Sequence, residues 1–176
     1  MMFWRAAASC FLALMIWCSP VWASEDWRDR FPDMRLVGGG VLEVLFIDIY
    51  RLNLYARDGR FAPEKDFVLE FEYLTDVSKR TIINASVNEL AKLDGVSAAD
   101  IKSWERGLGD AIVDMTAGDR AAIVFTTGGR IVFETPGRPP VAFDDPHFAT
   151  SYAAIWLGPR TAYPLLRHRL LGNKAP

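Results

Sequence analysis

The stretch 36–56, LVGGGVLEVLFIDIYRLNLYA, sets polar and phenolic side chains into a run of apolar residues. Tyr50 and Tyr55 carry hydroxyl groups, Arg51 a guanidinium and Asn53 an amide, and each of these groups can hydrogen-bond a ligand. The run also has the β-branched and aromatic composition of strands, so these groups either line a pocket or form the wet face of a sheet. Successive side chains of a strand point to opposite faces, so Tyr50 and Arg51 share one pocket only if a bulge intervenes.

More polar side chains follow on a predicted helix. Ser78 is a suitable N-cap, and Thr81, Asn84 and Asn88 come after it. Asn84 and Asn88 are i, i+4 neighbours beside the apolar stripe of this helix. If that stripe covers a sheet, its border is where a pocket mouth would open, and it is also where ordinary polar edge residues lie. We take five residues as candidate ligand-binding groups: Tyr50, Tyr55, Thr81, Asn88 and Arg51.

Few other side chains are suited to catalysis or metal binding. Both cysteines, Cys10 and Cys18, lie near the start of the chain. His147 lies beside a predicted helix start and His168 near a predicted helix end, and neither has the partners of a triad or a metal site. No HExxH, P-loop or GxSxG motif is present, and the triglycine 38–40 does not match GxGxxG. The sequence therefore predicts no catalytic residue, no metal and no cofactor.

Residues 1–23 have the pattern of a Sec signal peptide. One positive charge, Arg5, precedes an apolar run over 6–18, and Ala23 precedes a polar, acidic segment. The apolar run is shorter than the roughly 20 residues of a membrane span, so we expect cleavage after Ala23 and no stable span in the mature chain. Cys18 raises a lipoprotein as an alternative, although the residues before it lack the small side chains of a lipobox. The predicted location is the periplasm.

Length and charge limit the classes of protein to which the mature chain can belong. Removing 23 of the 176 residues leaves 153 without cysteine, which must be held by an apolar core rather than by disulfides. Removing Arg5 leaves 19 basic and 22 acidic side chains, a net charge of −3, which argues against a nucleic-acid partner and a polybasic membrane-surface role. We predict an irregular lead-in over 24–35 and a single domain over 36–172.

Period-two patterns predict the strands. Residues 41–56 predict two short strands with a bend near Ile47 and Asp48. In FVLEFEY, apolar residues alternate with Glu70 and Glu72, which predicts a half-buried strand with both glutamates facing solvent. Residues 120–134 predict a hairpin around two glycines, and a short edge strand follows. The triglycine is interpreted as a bulge or a place where another backbone packs closely.

Capping residues and helical spacing predict the helices. Ser78 and Ser97 each begin a helix after the FVLEFEY strand, and the second has an acid three residues on, as in a capping box. Asp145, followed by proline, begins a third helix, and a short last helix starts at Pro164. Strands, two helices, strands and two helices in this order predict an α+β fold, an antiparallel sheet with helices packed on one face.

Four segments in their order carry a family resemblance. They are LVGGGVLEVLFIDIYRLNLYA, YLTDVSKRTIINASVNEL, DMTAGDRAAIVFTTGGRIVFE and DDPHFATSYAAIWLGPRTAYPLLRHRLLG, within residues 36–172. Together they resemble the chalcone isomerase-like family, and more closely its exported bacterial branch. The resemblance implies an open-faced sandwich with a cleft between sheet and helices for a flat or elongated apolar ligand. Plant enzymes of this family cyclise chalcones to flavanones, while another branch binds fatty acids through an arginine and a tyrosine on the carboxylate.

The resemblance also implies which pocket positions differ. The arginine of the enzymes' first strand falls at Leu42, the strand threonine at Tyr50 and the helix tyrosine near Thr81, while the asparagine matches at Asn88. A late pocket hydroxyl falls near Ile155. Leucine cannot stabilise an enolate, and loss of one such group typically costs about 3–4 kcal/mol of barrier. The resemblance therefore implies that chalcone isomerase activity is absent.

Three hypotheses of function remain open. The first is an envelope protein that binds a small apolar or acyl ligand, with Tyr50, Tyr55 and Asn88 as polar anchors and Arg51 as a carboxylate partner. The second is an isomerase or lyase acting on another enone or phenolic substrate, with Tyr50 as the acid and Asn88 orienting the substrate. The third is a protein with a filled core that acts through a protein partner, which requires that no cavity exists.

Overall fold

The computed structural model describes residues 26–173, so the predicted signal peptide and its cleavage site lie outside the described part. The strands are Met34–Val44 (β1), Ile47–Arg57 (β2), Phe67–Tyr73 (β3), Arg120–Thr126 (β4), Arg130–Glu134 (β5) and Val141–Asp144 (β6). The helices are Trp27–Arg30 (α1), Lys79–Leu90 (α2), Ala98–Ala111 (α3), Pro146–Leu157 (α4) and Pro164–Leu170 (α5).

The six strands form one antiparallel sheet in the order β1-β2-β3-β4-β5-β6. Helices α2 and α3 lie in the connection between β3 and β4, and α4 and α5 follow β6. The predicted α+β class and antiparallel sheet are confirmed. One face of the sheet, called the inner face, packs with α2 to α5 around the main core, and it includes Leu52, Leu69 and Phe133. No helix within residues 26–173 is long and apolar enough to cross a membrane.

The first hairpin is longer than the two short strands that were predicted. β1 and β2 have eleven residues each, and the pair Val44 and Ile47 closes the ladder. The turn is therefore made by Leu45 and Phe46, slightly before the predicted bend. Both have positive φ, 51° and 67°, although neither is glycine or asparagine. Hairpin turns of this length normally use Asn-Gly or Gly-Gly, because side chains with a Cβ are strained there.

The triglycine lets α5 pack directly on β1. A Cβ added to Gly38 would overlap the carbonyl oxygen of Arg169 and lie 2.8 Å from that of Leu170. A Cβ added to Gly40 would lie 2.9 Å from Leu166 Cδ1. The interpretation that another backbone packs closely here is confirmed, and the glycines serve helix docking rather than nucleotide binding.

The opposite, outer face of the sheet is partly covered by α1, which occupies part of the predicted irregular lead-in. Trp27 packs there against Val68 and Tyr55, with 4.9 Å between the Trp27 and Tyr55 ring centroids. Glu70 is only 6% exposed and pairs with the Arg28 guanidinium. The prediction that Glu70 faces solvent is thus wrong, because the alternation gave its face correctly but could not reveal the helix above it. Glu72 does stay partly exposed.

The predicted helix caps are confirmed. Ser78 accepts a hydrogen bond from the Thr81 amide at 3.2 Å. Ser97 and the residue three positions on form the reciprocal capping box at the start of α3. Asp145 accepts from the Phe148 amide at 3.0 Å and begins α4, with proline at the first helical position. These local contacts set where α2, α3 and α4 begin, and so how they lie across the inner face.

Candidate ligand-binding cavity

A cavity of about 660 Å³ lies between the inner face and the helices. Its floor comes from the ends of β1, β2 and β3 that lie near the first hairpin, and from β4 and β5. Its roof comes from α2, α4 and the chain before α2. Most of the wall is apolar, including Leu42, Ile49, Phe71, Ile82, Ile123, Phe133 and Ile155.

Tyr50 on β2 places a buried hydroxyl in this wall. Its oxygen accepts a hydrogen bond from Trp156 Nε1 on α4 at 2.8 Å, and its ring contacts Phe71 edge-on with 5.2 Å between centroids. Burial raises the pKa of Tyr50 well above its ordinary value, and the bond from Trp156 offsets this only in part. Tyr50 is therefore a neutral phenol. Because the Trp156 indole N–H only donates, the hydroxyl hydrogen of Tyr50 can be donated to another acceptor.

A second buried hydroxyl pair closes the roof. Ser86 Oγ on α2 and the Tyr152 hydroxyl on α4 lie 3.0 Å apart, and both residues line the cavity. Burial raises the pKa of Tyr152 to about 12, partly offset by the bond to Ser86. Tyr73 on β3 also lines the cavity, and burial raises the pKa of its phenol well above the ordinary value. At neutral pH these three phenols are uncharged.

Sequence reasoning missed the roles of Ser86, Tyr152 and Trp156. Tyr152 and Trp156 lie on the apolar face of α4, but the polar atom of each also hydrogen-bonds a partner across the core. Ser86 carried a usable signal. It stands four residues after Ile82 and four before Leu90, so it is a polar residue within an otherwise apolar helical stripe.

The structure does not bring the five predicted site residues together. Tyr50 and Thr81 line the cavity, Tyr50 deep in the wall and Thr81 at the exposed rim beside Ser78. The Thr81 hydroxyl lies 2.8 Å from that of Ser78, so it is partly engaged in the start of α2.

Arg51, Tyr55 and Asn88 lie outside the cavity, which corrects the expected grouping. Arg51 and Tyr55 point to the outer face, because no bulge separates them from Tyr50 on β2. There Arg51 pairs with Glu72 at 2.9 Å, and the Tyr55 hydroxyl donates to Glu70 at 3.3 Å. Asn88 is exposed on α2, beside the face that lines the cavity rather than on it.

The charged residues of the wall are acidic. Asp76 and Glu89 line the cavity, and no lysine, arginine or histidine of residues 26–173 is among its lining residues. Asp76 accepts a hydrogen bond from the Ala117 amide at 2.9 Å, and Glu89 pairs with Lys92 at 2.6 Å. Within residues 26–173, no group of three or more histidine, cysteine, aspartate or glutamate side chains is arranged to hold a metal ion.

Comparison with known proteins identifies the family. The sequence model described as chalcone isomerase-like matches residues 30–172. The chain belongs to the chalcone isomerase-like family. Among curated proteins, no match to this chain was found. Among solved structures it is similar to the crystal structure of a fatty-acid binding protein from Arabidopsis thaliana, with a TM-score of 0.62 and 17% sequence identity. The match covers 80% of this chain and 87% of the plant chain, and it shows that the two share a fold.

Within this chalcone isomerase-like fold, Leu42 is one of the apolar residues of the cavity wall. The resemblance aligned the charge-stabilising arginine of the enzyme branch with this position. Leu42 on β1 is buried and lines the cavity. At this point the wall is therefore apolar.

Proposed function

We propose that this protein is a non-catalytic binding protein that holds a small apolar or acyl ligand between its sheet and its helices. The cavity carries the proposal. Its volume, about 660 Å³, falls within the roughly 300–1,000 Å³ of small-molecule sites. Mainly apolar walls with a few placed hydroxyls, here those of Tyr50 and Tyr152, are typical of such sites. The plant protein of the same fold is a fatty-acid binding protein, which supports an apolar ligand.

Two features count against the isomerase alternative. The phenol of Tyr50, the expected acid, has a pKa raised well above its ordinary value, so it is a weak proton donor near neutral pH. Asn88, expected to orient the substrate, lies outside the cavity. The third hypothesis, a filled core, requires that no cavity exists, and the cavity counts against it.

We further propose that the protein belongs to an exported bacterial branch of the family and works in the periplasm. The signal-peptide pattern of residues 1–23 and the lack of cysteine in the remaining chain support this. The test is N-terminal sequencing of the protein from a periplasmic fraction. We expect a chain that begins at Ser24, whereas a full-length chain retained in the cytoplasm would contradict export.

Mass spectrometry of bound small molecules tests the binding function. The mature chain, residues 24–176, is purified from a bacterial periplasm and extracted with organic solvent. We expect an apolar or acyl species in stoichiometric amount. Ile82→Trp, which adds bulk at the half-buried cavity wall, should lose this species. Asn84→Trp adds the same bulk on an exposed position of α2 outside the cavity and should retain it. A clean extract from the unmodified chain, or equal retention by both variants, would contradict binding in the cavity.

A further inference from the structure

We propose that the cavity selects an uncharged amphiphile, one whose polar end is a hydroxyl or carbonyl oxygen, over a fatty-acid anion. This inference rests on the proposed function and names the ligand class of the same site. It departs from what the plant fatty-acid binding protein would suggest, and it follows from the charges and donors that the described residues place around the cavity.

Deep in the cavity, the described residues offer no positive charge to a carboxylate. The buried hydroxyls there are those of Tyr50, Tyr73, Ser86 and Tyr152, and in the part of the chain that the structure describes no lysine, arginine or histidine lines the wall. Moving an ionised carboxylate from water into such surroundings is strongly unfavourable unless a cation compensates. Leu42 supplies only methyl groups in this wall. A ligand that enters polar end first is therefore favoured when that end is uncharged.

At the rim, the charge is of the wrong sign for a fatty-acid anion. Asp76 is exposed and Glu89 half-buried, and both line the cavity. A ligand that enters tail first would leave a carboxylate beside these two groups, where like charges repel. Lys92 is the cation beside Glu89, but it is paired with it at 2.6 Å and is itself largely exposed. Both orientations of an acyl chain thus disfavour a negative head.

Two further basic side chains, Arg51 and Lys79, are bonded to groups outside the cavity. Arg51 is bonded to Glu72 at 2.9 Å on the other side of the sheet from the cavity. Lys79, at the start of α2, donates to the carbonyl oxygen of Gly109. Neither side chain lines the cavity.

The hydroxyls of the wall do fit an oxygen acceptor. Tyr50 accepts from Trp156, which leaves its own hydrogen to donate. Ser86 and Tyr152 share one hydrogen bond, so one of their two hydrogens remains for a further acceptor. Neutral hydroxyl donors satisfy an ester, ketone, aldehyde or alcohol oxygen without the desolvation cost of an ion.

Matched ligands that share a twelve-carbon chain test the inference. The mature chain is titrated at pH 7.5 with dodecanol, methyl laurate and laurate, each below its aggregation limit, by calorimetry and by tryptophan fluorescence. We expect dodecanol or methyl laurate to bind about tenfold or more tightly than laurate, since an unpaired buried charge is costly. Laurate binding as tightly as both neutral ligands, or more tightly, would overturn the inference while leaving the binding function intact. Binding of none of the three would overturn the proposed function, and the inference with it.

A cation added at the rim should reduce the preference for neutral ligands over laurate. Thr81→Arg places a guanidinium at an exposed rim position, where it is not expected to disturb folding, and should improve laurate binding about two- to fivefold, as for a partly exposed ion pair. Asn84→Arg adds the same charge on α2 outside the cavity and should leave the ratio of affinities unchanged. Leu42→Arg should have the larger effect if the variant folds. Equal effects of Thr81→Arg and Asn84→Arg on laurate binding would count against the inference. Nonspecific attraction between the added positive charge and laurate would then explain both effects.

Discussion

At the scale of single residues, two hydrogen bonds define the polar part of the cavity. Tyr50 and Trp156 are 106 positions apart in the chain, and Ser86 and Tyr152 are 66 apart. Each bond joins two elements that otherwise meet through apolar contacts. Because these groups are buried, each depends on its partner, since a buried donor without an acceptor costs about 1–3 kcal/mol.

Replacing Tyr50 by phenylalanine tests the first of these bonds. Tyr50→Phe keeps the ring contacts but leaves the Trp156 indole N–H without its acceptor. We expect the free energy of unfolding, measured in urea, to fall by about 1–3 kcal/mol. Tyr163→Phe removes a half-buried hydroxyl from the same cavity, and since no hydrogen bond of that hydroxyl is found within residues 26–173, its effect should stay within about 0.5 kcal/mol. An unchanged midpoint for Tyr50→Phe would mean that the indole finds another acceptor.

At the scale of elements, the first hairpin is unusual at its tip. Leu45 and Phe46 are 85% and 96% exposed and both hold positive φ. Val44 and Ile47, which flank them, line the cavity. The register of β1 and β2 places Tyr50 on the inner face, so the turn must form at these two residues even though their side chains are poorly suited to it.

Changing this turn to Asn-Gly should stabilise the protein. The left-handed conformation costs an ordinary side chain roughly 1–2 kcal/mol, and asparagine and glycine adopt it readily. We expect the double substitution Leu45→Asn with Phe46→Gly to raise the free energy of unfolding by about 1–2 kcal/mol after the entropic cost of glycine. Phe46→Ala is the control, because it removes the exposed ring but keeps the strained φ. If Phe46→Ala raised the free energy of unfolding as much as the double substitution, removal of exposed apolar surface rather than relief of backbone strain would explain the result.

At the scale of the whole molecule, the sheet carries two cores of unequal size. The inner core holds the cavity between sheet and helices, whereas the outer core is small and centred on Trp27. Elements that are distant in sequence meet around the cavity, with β2 on one side and α2 and α4 on the other. A ligand that fills the cavity contacts all of them and binds only the folded state.

Ligand binding should therefore raise the melting temperature. At a dodecanol concentration 100 times its Kd, binding to the folded state alone adds about 2.7 kcal/mol. For a chain of this length that corresponds to a rise of roughly 5–10 °C in differential scanning calorimetry. The Ile82→Trp variant, in which the larger side chain fills part of the cavity, should show little rise in melting temperature. Equal rises for both proteins would place the binding site elsewhere on the chain.

The sequence by itself determined most of the elements and the class of the fold. Alternation in FVLEFEY, the serine and aspartate caps, and the Gly128–Gly129 turn each act within a few residues, so local patterns were enough to read them. The sequence also placed Tyr50 and Thr81 at the cavity, although it wrongly grouped Arg51, Tyr55 and Asn88 with them.

Only the tertiary structure decided which polar groups meet and which face of the sheet carries the cavity. Strand alternation sends Arg51 and Tyr55 to the face opposite Tyr50, and they lie outside the cavity because the helices that roof it pack on the Tyr50 face. Glu70 was buried by a helix 42 positions earlier in the chain. Ser86 became a site residue through Tyr152, a partner that no local pattern names. Contacts between distant segments depend on how whole elements dock, and apolar packing, which is non-directional, leaves little trace of that docking in the sequence.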